Sequence, residues 1–353
     1  MMKKIRWGVI GAGGIALRRT IPEAVRDATN IELVSVMDTN AARAKAVAEK
    51  FNVPHACTTE KELLAQDVDA VYIATPQNVH ARQVIQAAEA GRHILCEKPI
   101  AVSLAEVDQM EAAIQKAGVK FMLGFCMRYN VYNKKARELV QAGALGQVVM
   151  GRAQLTCWYP PIPDAWRQDV SISHGGSLID MGTHCLDLLE WIQGTRIVEV
   201  IGFQDLRTHA YRTRIEDTST VVVRFANGAH GIVDNYFNLP DAAAQNALEL
   251  HGTKGSLLAT GTIGQDPTGK MFTILQPEET AYDPNQVRDV PAAREDYKFQ
   301  GVGLYGQMVS MFADCILENK TPPIGLEDGR HSVNVVETIY RAVKERRVLT
   351  VPE

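Results

Sequence analysis

Two segments far apart in the chain combine ionisable side chains at spacings that suit proton transfer. Asp180 and His184 are four residues apart in a segment, residues 178–191, whose apolar pattern predicts a helix, so both side chains share one face. A polar pair on an otherwise buried helix is costly unless it is used. We interpret His184 as a general acid or base, because imidazole titrates near neutral pH, and Asp180 as the group that orients it or a substrate. The structural alternatives are a hydrogen-bonded core histidine and a carboxylate that complements the helix dipole.

The other segment places Lys98 between a short apolar run at residues 93–96, which predicts a strand, and Pro99. Proline disfavours the α region for the residue before it, so the chain should leave this strand extended. Ligands of open α/β sheets bind outside the carboxyl ends of the strands, and residues 75–80 follow another predicted strand at the same edge. Lys98 therefore lies where its charge could stabilise a developing alkoxide, although a lone lysine is more commonly a solvated charge.

A glycine-rich turn at residues 11–16 joins the first predicted strand, residues 5–10, to a helix, and it fits the pattern G-x-G-x-x-G/A. Gly11 permits a tight turn, Gly13 leaves room for a pyrophosphate, and Ala16 lets the helix pack close to the strand. The free N–H groups at the start of that helix would bind the phosphates. The turn therefore predicts a dinucleotide site, and its residues are Gly11, Ala12, Gly13, Gly14 and Ile15.

Asp38 ends the second predicted strand, about 20 residues beyond the glycine turn, where a carboxylate typically binds the ribose hydroxyls of a dinucleotide. A carboxylate at this place repels a 2′-phosphate, which favours NAD. Arg43 lies one helical turn further on and could bind the 2′-phosphate of NADP. NAD is therefore the favoured cofactor, and NADP stays open.

The order of strand-like and helix-like segments divides the chain into two domains. Residues 1–125 alternate strands and helices with short turns, which predicts a Rossmann domain with a doubly wound parallel sheet. Residues 126–353 carry longer strand-like runs, which predicts an α+β domain on a largely antiparallel open sheet. We assign substrate binding and oligomerisation to this second domain as a hypothesis. Asn227-Gly228, between two of these runs, predicts a hairpin. In this second domain we predict strands at 148–158, 197–203, 218–225, 229–237 and 248–258, and helices at 134–142, 178–191, 305–318 and 326–345.

Composition limits the class of protein. Hydrophobic residues make up 46% of the 353 residues and the formal net charge is -4, which excludes a disordered chain and disfavours a nucleic-acid partner. No apolar run reaches the ~18 residues that a membrane helix needs. The six cysteines form no CxxC pair and the histidines show no ligand spacing, so we predict no metal site and reduced thiols in a cytoplasm.

The glycine turn, Glu97-Lys98-Pro99 and the Asp-x-Gly-x-His segment at residues 180–184 together resemble the Gfo/Idh/MocA oxidoreductases, over essentially the whole chain. The resemblance implies that Lys98, Asp180 and His184 form a catalytic or substrate-positioning trio. It also implies a cofactor site lined by Thr75, Pro76, Asn78, His80, Glu97, Lys98 and Arg128. For Arg128 a surface ion pair is the alternative. The family often forms homo-oligomers, so a dimer or tetramer is expected by analogy.

One loop resembles the anhydrofructose reductase branch of that family. Residues 158–161 and Trp166-Arg167 match this loop, in which the Trp-Arg pair meets the cofactor, and Tyr305 matches a further cofactor contact. That NADP-dependent branch carries a small neutral residue where this chain has Asp38, so its NADP preference does not transfer directly.

These features predict an NAD(P)-dependent oxidoreductase that moves a hydride between nicotinamide and a secondary alcohol or ketone of a sugar, polyol or related small molecule. Two alternatives stay open. A glycosidase-like enzyme oxidises its sugar only transiently and shows no net turnover of added NAD. A non-catalytic, ligand-sensing regulator on the same fold would not need Lys98 and His184. Reduction of a trans-dihydrodiol or of biliverdin also lies within the broader resemblance.

Overall fold

The computed structural model describes residues 3–276, 284 and 293–352, which form two compact units. The first unit contains Met1–Tyr129, Asp164–His174 and Val302–Asn334, and the second contains Asn130–Pro163, Gly175–Gly301 and Val335–Glu353. These units differ from the predicted domains 1–125 and 126–353, because two later segments make their contacts with the first unit. The order of elements along a sequence does not reveal such returns of the chain.

The helices of the described residues are α1 (Ile21–Asp27), α2 (Ala41–Phe51), α3 (Glu60–Leu64), α4 (His80–Glu89), α5 (Leu104–Ala117), α6 (Val131–Gln141), α7 (Val170–Ser173), α8 (Thr183–Gln193), α9 (Leu304–Leu317) and α10 (Leu326–Glu345). The strands are β1 (Ile5–Ile10), β2 (Ile31–Met37), β3 (His55–Cys57), β4 (Ala70–Ile73), β5 (His93–Glu97), β6 (Phe121–Gly124), β7 (Val148–Thr156), β8 (Ile197–Asp205), β9 (Thr218–Phe225), β10 (His230–Tyr236), β11 (Ala247–Gly252), β12 (Gly255–Thr260), β13 (Lys270–Leu275), β14 (Ala293–Tyr297) and β15 (Leu349–Thr350). None of these helices combines the length and the apolarity that crossing a membrane requires.

A parallel sheet of six strands, in the order β3-β2-β1-β4-β5-β6, forms the first unit. In such a sheet the connecting helices cover both faces, which is why β4 and β6 are buried at every position. The predicted Rossmann sheet is confirmed. The sequence reading missed β3, because three residues at a sheet edge are too few to show a period.

The segment 302–334 completes the core of this first unit. The ring of Trp7 in β1 meets the edge of Phe312 in α9 at a centroid distance of 6.0 Å, and both side chains are fully buried. The Glu23 carboxylate accepts a hydrogen bond from the N–H of Tyr305 in the first turn of α9 (2.8 Å). α9 therefore packs as part of the first unit rather than of the second.

A nine-stranded sheet, in the order β14-β13-β12-β11-β7-β10-β9-β8-β15, forms the second unit. Among the described strands of this second sheet, β7 and β10 are the only parallel pair. The predicted largely antiparallel sheet is therefore confirmed. The hairpin predicted at Asn227-Gly228 joins β9 to β10. The prediction of a single strand at 248–258 is wrong, because this segment forms a hairpin of β11 and β12. Gly252 and Gly255 flank its turn, which the apolar residues on either side did not indicate. Gly255 has φ +151 there.

The helix predicted at 178–191 begins with a π-helical turn, Leu178–Gly182, and continues as α8. Its apolar face, including Leu188, is buried, and α8 packs on β7. Gly182 lies so close to β10 that a Cβ there would stand 2.7 Å from Oδ1 of Asn235. Single π turns in α-helices occur frequently at functional sites, because they redirect the side chains that follow.

Candidate active site

The glycine turn follows β1 directly and packs against the ends of two neighbouring strands. The N–H groups of Gly11 and Ala12 both donate to the main-chain oxygen of Met37 (2.9 Å each). Gly11 has φ +89, and a Cβ there would stand 2.8 Å from the Thr75 side chain. Only glycine fits this position, for its dihedral angle and for its space. Gly14, at φ +49, leaves open space around its Cα, so the residues of the turn fit a dinucleotide phosphate.

Asp38 lies at the carboxyl end of β2 and is only 6% exposed. Its carboxylate accepts hydrogen bonds from the N–H of Gly13 (3.1 Å) and of Asn40 (2.9 Å). Arg43 of α2 donates to both oxygens, through Nε (2.8 Å) and Nη2 (2.9 Å). The two residues named for opposite cofactor preferences therefore form one ion pair beside the glycine turn. A ribose diol that binds Asp38 must displace or share these donors.

Lys98 directly follows β5, and its main-chain N–H contacts the buried carboxyl group of Glu97. Oε1 of Glu97 accepts a hydrogen bond from the Tyr72 hydroxyl (2.6 Å), and Oε2 accepts one from the Lys98 N–H (3.3 Å). Thr20 donates in turn to the Tyr72 oxygen (3.0 Å). Burial raises the pKa of Glu97, while the Tyr72 hydrogen bond and the positive charges of Lys98 and Arg167 pull it down. The net effect keeps the pKa of Glu97 above its usual value, so this carboxyl group holds its proton to a higher pH than an exposed glutamate does.

Trp166 and Arg167 reach the same neighbourhood on a turn of the first unit. The guanidinium of Arg167 lies over the ring of Trp166, 4.3 Å from its centroid, and its charge acts on Glu97. Gln77, buried in the turn after β4, donates a hydrogen bond to the main-chain oxygen of Ser173 and holds this segment in place. The charge of Arg167 thus acts on Glu97, and contact of residues 166–167 with the cofactor stays a prediction.

His80 braces the two loops that follow β4 and β5. Its Nδ1 is 2.8 Å from the main-chain oxygen of Pro99, and its Nε2 is 3.0 Å from that of Thr75. Burial is the main cause that lowers the pKa of His80, and the two main-chain oxygens oppose that effect. Of the other residues predicted in this segment, Pro76 is half-buried and Asn78 is exposed.

Tyr305 and Arg128 are both buried in the first unit. Tyr305 is 3% exposed and hydrogen-bonds Cys126, behind Tyr72 and Glu97. Burial raises the pKa of Cys126 to about 12 and that of Tyr305 well above its usual value, so both stay protonated. Arg128 is 9% exposed and forms a partly buried ion pair with Asp328 (3.4 Å). Direct contact of either residue with the cofactor stays a prediction.

Asp180 and His184 belong to the second unit. Asp180 lies in the π-helical turn and is half-buried, and His184, in the first turn of α8, is 7% exposed. Both are on the same helical segment, as the sequence predicts. Their meeting with Lys98 of the first unit stays a prediction. Among the described residues, no group of three or more His, Cys, Asp or Glu side chains has the arrangement of a metal site.

Both halves of the chain match one protein family. The oxidoreductase family profile with an NAD-binding Rossmann fold, GFO/IDH/MocA, matches residues 5–125, and the GFO/IDH/MocA C-terminal domain matches residues 133–258. The chain belongs to the GFO/IDH/MocA oxidoreductases. The resemblance stated from the three motifs is confirmed, and this GFO/IDH/MocA protein is an NAD(P)-dependent oxidoreductase acting on CH–OH groups.

Curated relatives and a solved structure cover three quarters or more of this GFO/IDH/MocA chain. It is 32% identical to 1,5-anhydro-D-fructose reductase of Ensifer adhaerens over 265 residues, 75% of this chain and 78% of the relative. It is 28% identical to myo-inositol 2-dehydrogenase of Thermotoga maritima over 352 residues, 99% of each chain. The aldose-aldose oxidoreductase of Caulobacter crescentus, solved with glycerol, superposes with a TM-score of 0.87 at 26% identity, covering 99% of this chain and 100% of the other.

Sequence reasoning missed the buried partners of the site, above all Tyr72, Thr20 and Gln77. β4 is apolar throughout, so no alternation indicates which face Tyr72 occupies. The one available signal is a phenol inside an otherwise aliphatic buried strand, because a buried hydroxyl needs a hydrogen-bond partner. Identifying that partner as Glu97 requires knowing that β4 pairs with β5, which the sequence alone does not reveal.

Proposed function

We propose that this oxidoreductase transfers a hydride between nicotinamide and a secondary alcohol or ketone of a sugar or polyol, with NAD favoured over NADP. The observation that carries the proposal is that the glycine turn, Asp38 and Lys98 all follow the carboxyl ends of strands in one parallel sheet, where the Lys98 main chain is hydrogen-bonded to the buried Glu97 carboxyl group. Ligands of open α/β sheets bind at that edge. The names of the anhydrofructose reductase and inositol dehydrogenase relatives support a sugar-like or polyol substrate.

Each polar residue has a role in this proposal. The bound nicotinamide supplies the hydride chemistry. Lys98 stabilises negative charge on the substrate oxygen as its proton leaves. His184 takes that proton in the oxidising direction and returns it in the reducing direction, and Asp180 orients the imidazole or a neighbouring hydroxyl. Glu97 and Tyr72 fix the main chain that carries Lys98.

A substrate screen tests the proposal. Sugars, polyols and their ketones are offered with NAD(H) and NADP(H) in both directions, and the reduced nicotinamide is followed by absorbance. We expect turnover with at least one alcohol or ketone of this class. Products that form without net consumption of added NAD would instead indicate the transient-oxidation, glycosidase-like chemistry. Binding of sugars and nucleotide without any chemistry would contradict the proposal.

The Asp38–Arg43 pair gives a prediction about the cofactor. Asp38→Asn removes the charge that binds a ribose diol and repels a 2′-phosphate, so the ratio of NADH to NADPH affinity should fall by about tenfold or more, the scale of a hydrogen bond to a charged group. Arg43→Ala should weaken NADPH binding and spare NADH. Fluorescence titration with the two reduced cofactors measures both ratios.

The matched control for this titration is Lys45→Ala, which removes an exposed cation from the same helix without touching Asp38. It should leave both affinities at the parent values. If Asp38→Asn and Arg43→Ala each keep the parent ratio of NADH to NADPH affinity, the assignment of Asp38 and Arg43 to the ribose site is wrong.

The oligomeric part of the proposal is a homo-oligomer, dimer or tetramer, in a cytoplasmic enzyme. The strands of the nine-stranded sheet expose several large apolar side chains, which are Val149, Phe203, Val222 and Ile274. Exposed apolar groups on one sheet support association of copies. Sedimentation equilibrium determines the order of the oligomer. The proposed compartment rests on the cysteine content of the sequence.

A further inference from the structure

The carboxyl group of Glu216 lies against the start of the helical segment 178–193. Its Oε2 accepts a hydrogen bond from the N–H of Gly176 (2.9 Å), and its Oε1 accepts one from the N–H of Leu178 (3.1 Å). The N–H between them, that of Ser177, donates to the main-chain oxygen of Glu216 (3.0 Å). Three consecutive N–H groups at the start of the helix therefore bind a single residue.

Tyr340 of α10 closes the other side of this carboxyl group. Its hydroxyl donates to Oε1 of Glu216 (2.9 Å). A Cβ at Gly175 would stand 2.0 Å from the Tyr340 oxygen, and one at Gly176 would stand 1.9 Å from the Glu216 main-chain oxygen. The two glycines are thus required for space. Burial raises the pKa of Tyr340 well above its usual value, so the phenol remains a donor.

Two main-chain hydrogen bonds connect this anchor to the predicted proton-transfer pair. The oxygen of Gly176 accepts the N–H of Asp180 (3.1 Å), and the oxygen of Leu178 accepts the N–H of Thr183. His184 follows Thr183 directly. Any shift of the anchored N–H groups therefore moves the main chain to which Asp180 and His184 are attached.

The position of Glu216 also suits a helix start. Burial raises the pKa of its carboxyl group, and the hydrogen bonds from Leu178, Tyr340 and Gly176 oppose that rise. The first N–H groups of a helix have no partner within it, and a carboxylate there is favoured by the helix dipole. Ser177 makes no capping hydrogen bond with its side chain, so Glu216 takes that role from a distant part of the sequence. The next residue, Asp217, binds the N–H groups of residues 207–209 instead (2.8 to 3.0 Å). The two adjacent acids therefore hold two different segments.

We propose that Glu216, held in place by Tyr340, is a positioning residue that sets the placement of Asp180 and His184 for proton transfer. The proposal rests on the proposed function, because the rate of that reaction is what such placement controls. A residue that served stability alone would lower the melting temperature and leave the reaction and its pH dependence unchanged.

Glu216→Gln and Tyr340→Phe test this role, because each keeps the size of the side chain and removes one hydrogen-bonding group. With a substrate identified by the screen, we expect kcat to fall by about 10- to 100-fold in Glu216→Gln, the scale for misplaced catalytic groups, with the Kd for NADH unchanged. Tyr340→Phe removes a single oxygen and should lose about tenfold or more, the scale of one hydrogen bond to a charged group. Glu337→Gln, on the same α10 helix, is the matched control and should keep the parent kcat.

Nuclear magnetic resonance of nitrogen-15-labelled histidine rings gives a readout that needs no turnover. The His184 signal is the one that is missing in His184→Asn. We expect its titration midpoint to move by at least about half a pH unit in Glu216→Gln and to stay in place in Glu337→Gln. Parent-like kcat and parent-like His184 titration in folded Glu216→Gln and Tyr340→Phe would overturn the proposal.

The two proposals fail separately. If the parent turns over no sugar or polyol and the His184 midpoint still moves in Glu216→Gln, the proposed function is wrong and the positioning of His184 by Glu216 stands. If Glu216→Gln does not fold, Tyr340→Phe decides through the same two measurements, because it leaves all three main-chain contacts of Glu216 available.

Discussion

Replacing Lys98 by methionine lowers kcat by at least about 100-fold, the effect expected when a fixed positive charge that stabilises a developing alkoxide is lost. Methionine is unbranched and only one heavy atom shorter than lysine, and it carries neither the charge nor the donors. The same charge lowers the pKa of the buried Glu97 carboxyl, so the variant also shifts Glu97 further toward its neutral form. Steady-state kinetics with the substrate from the screen measures the loss, and titration with NADH confirms that the cofactor still binds.

The control for Lys98 is Lys116→Met, an exposed lysine near the end of α5, which should keep the parent kcat. A Lys98→Met enzyme that retains more than about a tenth of the parent kcat would contradict the electrostatic role, since an active-site charge contact is worth more than that. An unchanged kcat with a raised KM would instead assign Lys98 to substrate binding alone.

Replacing His184 by asparagine removes the proposed proton acceptor and lowers kcat by about 100- to 10,000-fold, the usual contribution of a general acid–base group. The limb of the pH profile of kcat/KM that reports its ionisation should disappear at the same time. Loss of rate without loss of this limb would mean that another group moves the proton. His251→Asn, which changes a half-buried histidine of β11 in the same unit, is the control and should leave the profile intact.

The local parts of the site could be predicted from the sequence because their geometry is set by adjacent residues. The glycine turn, Asp38 after β2 and Lys98 after β5 depend on short motifs at strand ends, and the structure places them there. The family and both sheets followed from the same motifs and from the alternation of elements. A hairpin as clear as Asn227-Gly228 was also found for local reasons.

The parts that could not be predicted depend on pairing between distant residues. Glu216 is 40 residues from Gly176, and its carboxyl group has no motif around it that names its partner. Tyr72 needs the β4–β5 pairing to meet Glu97. The β11–β12 hairpin was misread because an apolar run fits one long strand as well as two short ones. In each case the missing information is tertiary.

The return of residues 302–334 to the first unit also determines when this unit can finish folding during synthesis. Domains generally fold in the order of synthesis, from the amino end. All six strands of the first sheet have been made by Gly124, yet Trp7 lacks its Phe312 neighbour until nearly the whole polypeptide has left the exit tunnel. The unit whose synthesis begins first therefore completes its core only near the end of synthesis. A chain that ends before residue 302 leaves apolar core surface of the first unit exposed. We expect such a chain to bind chaperones or to aggregate rather than to fold as an independent nucleotide-binding domain.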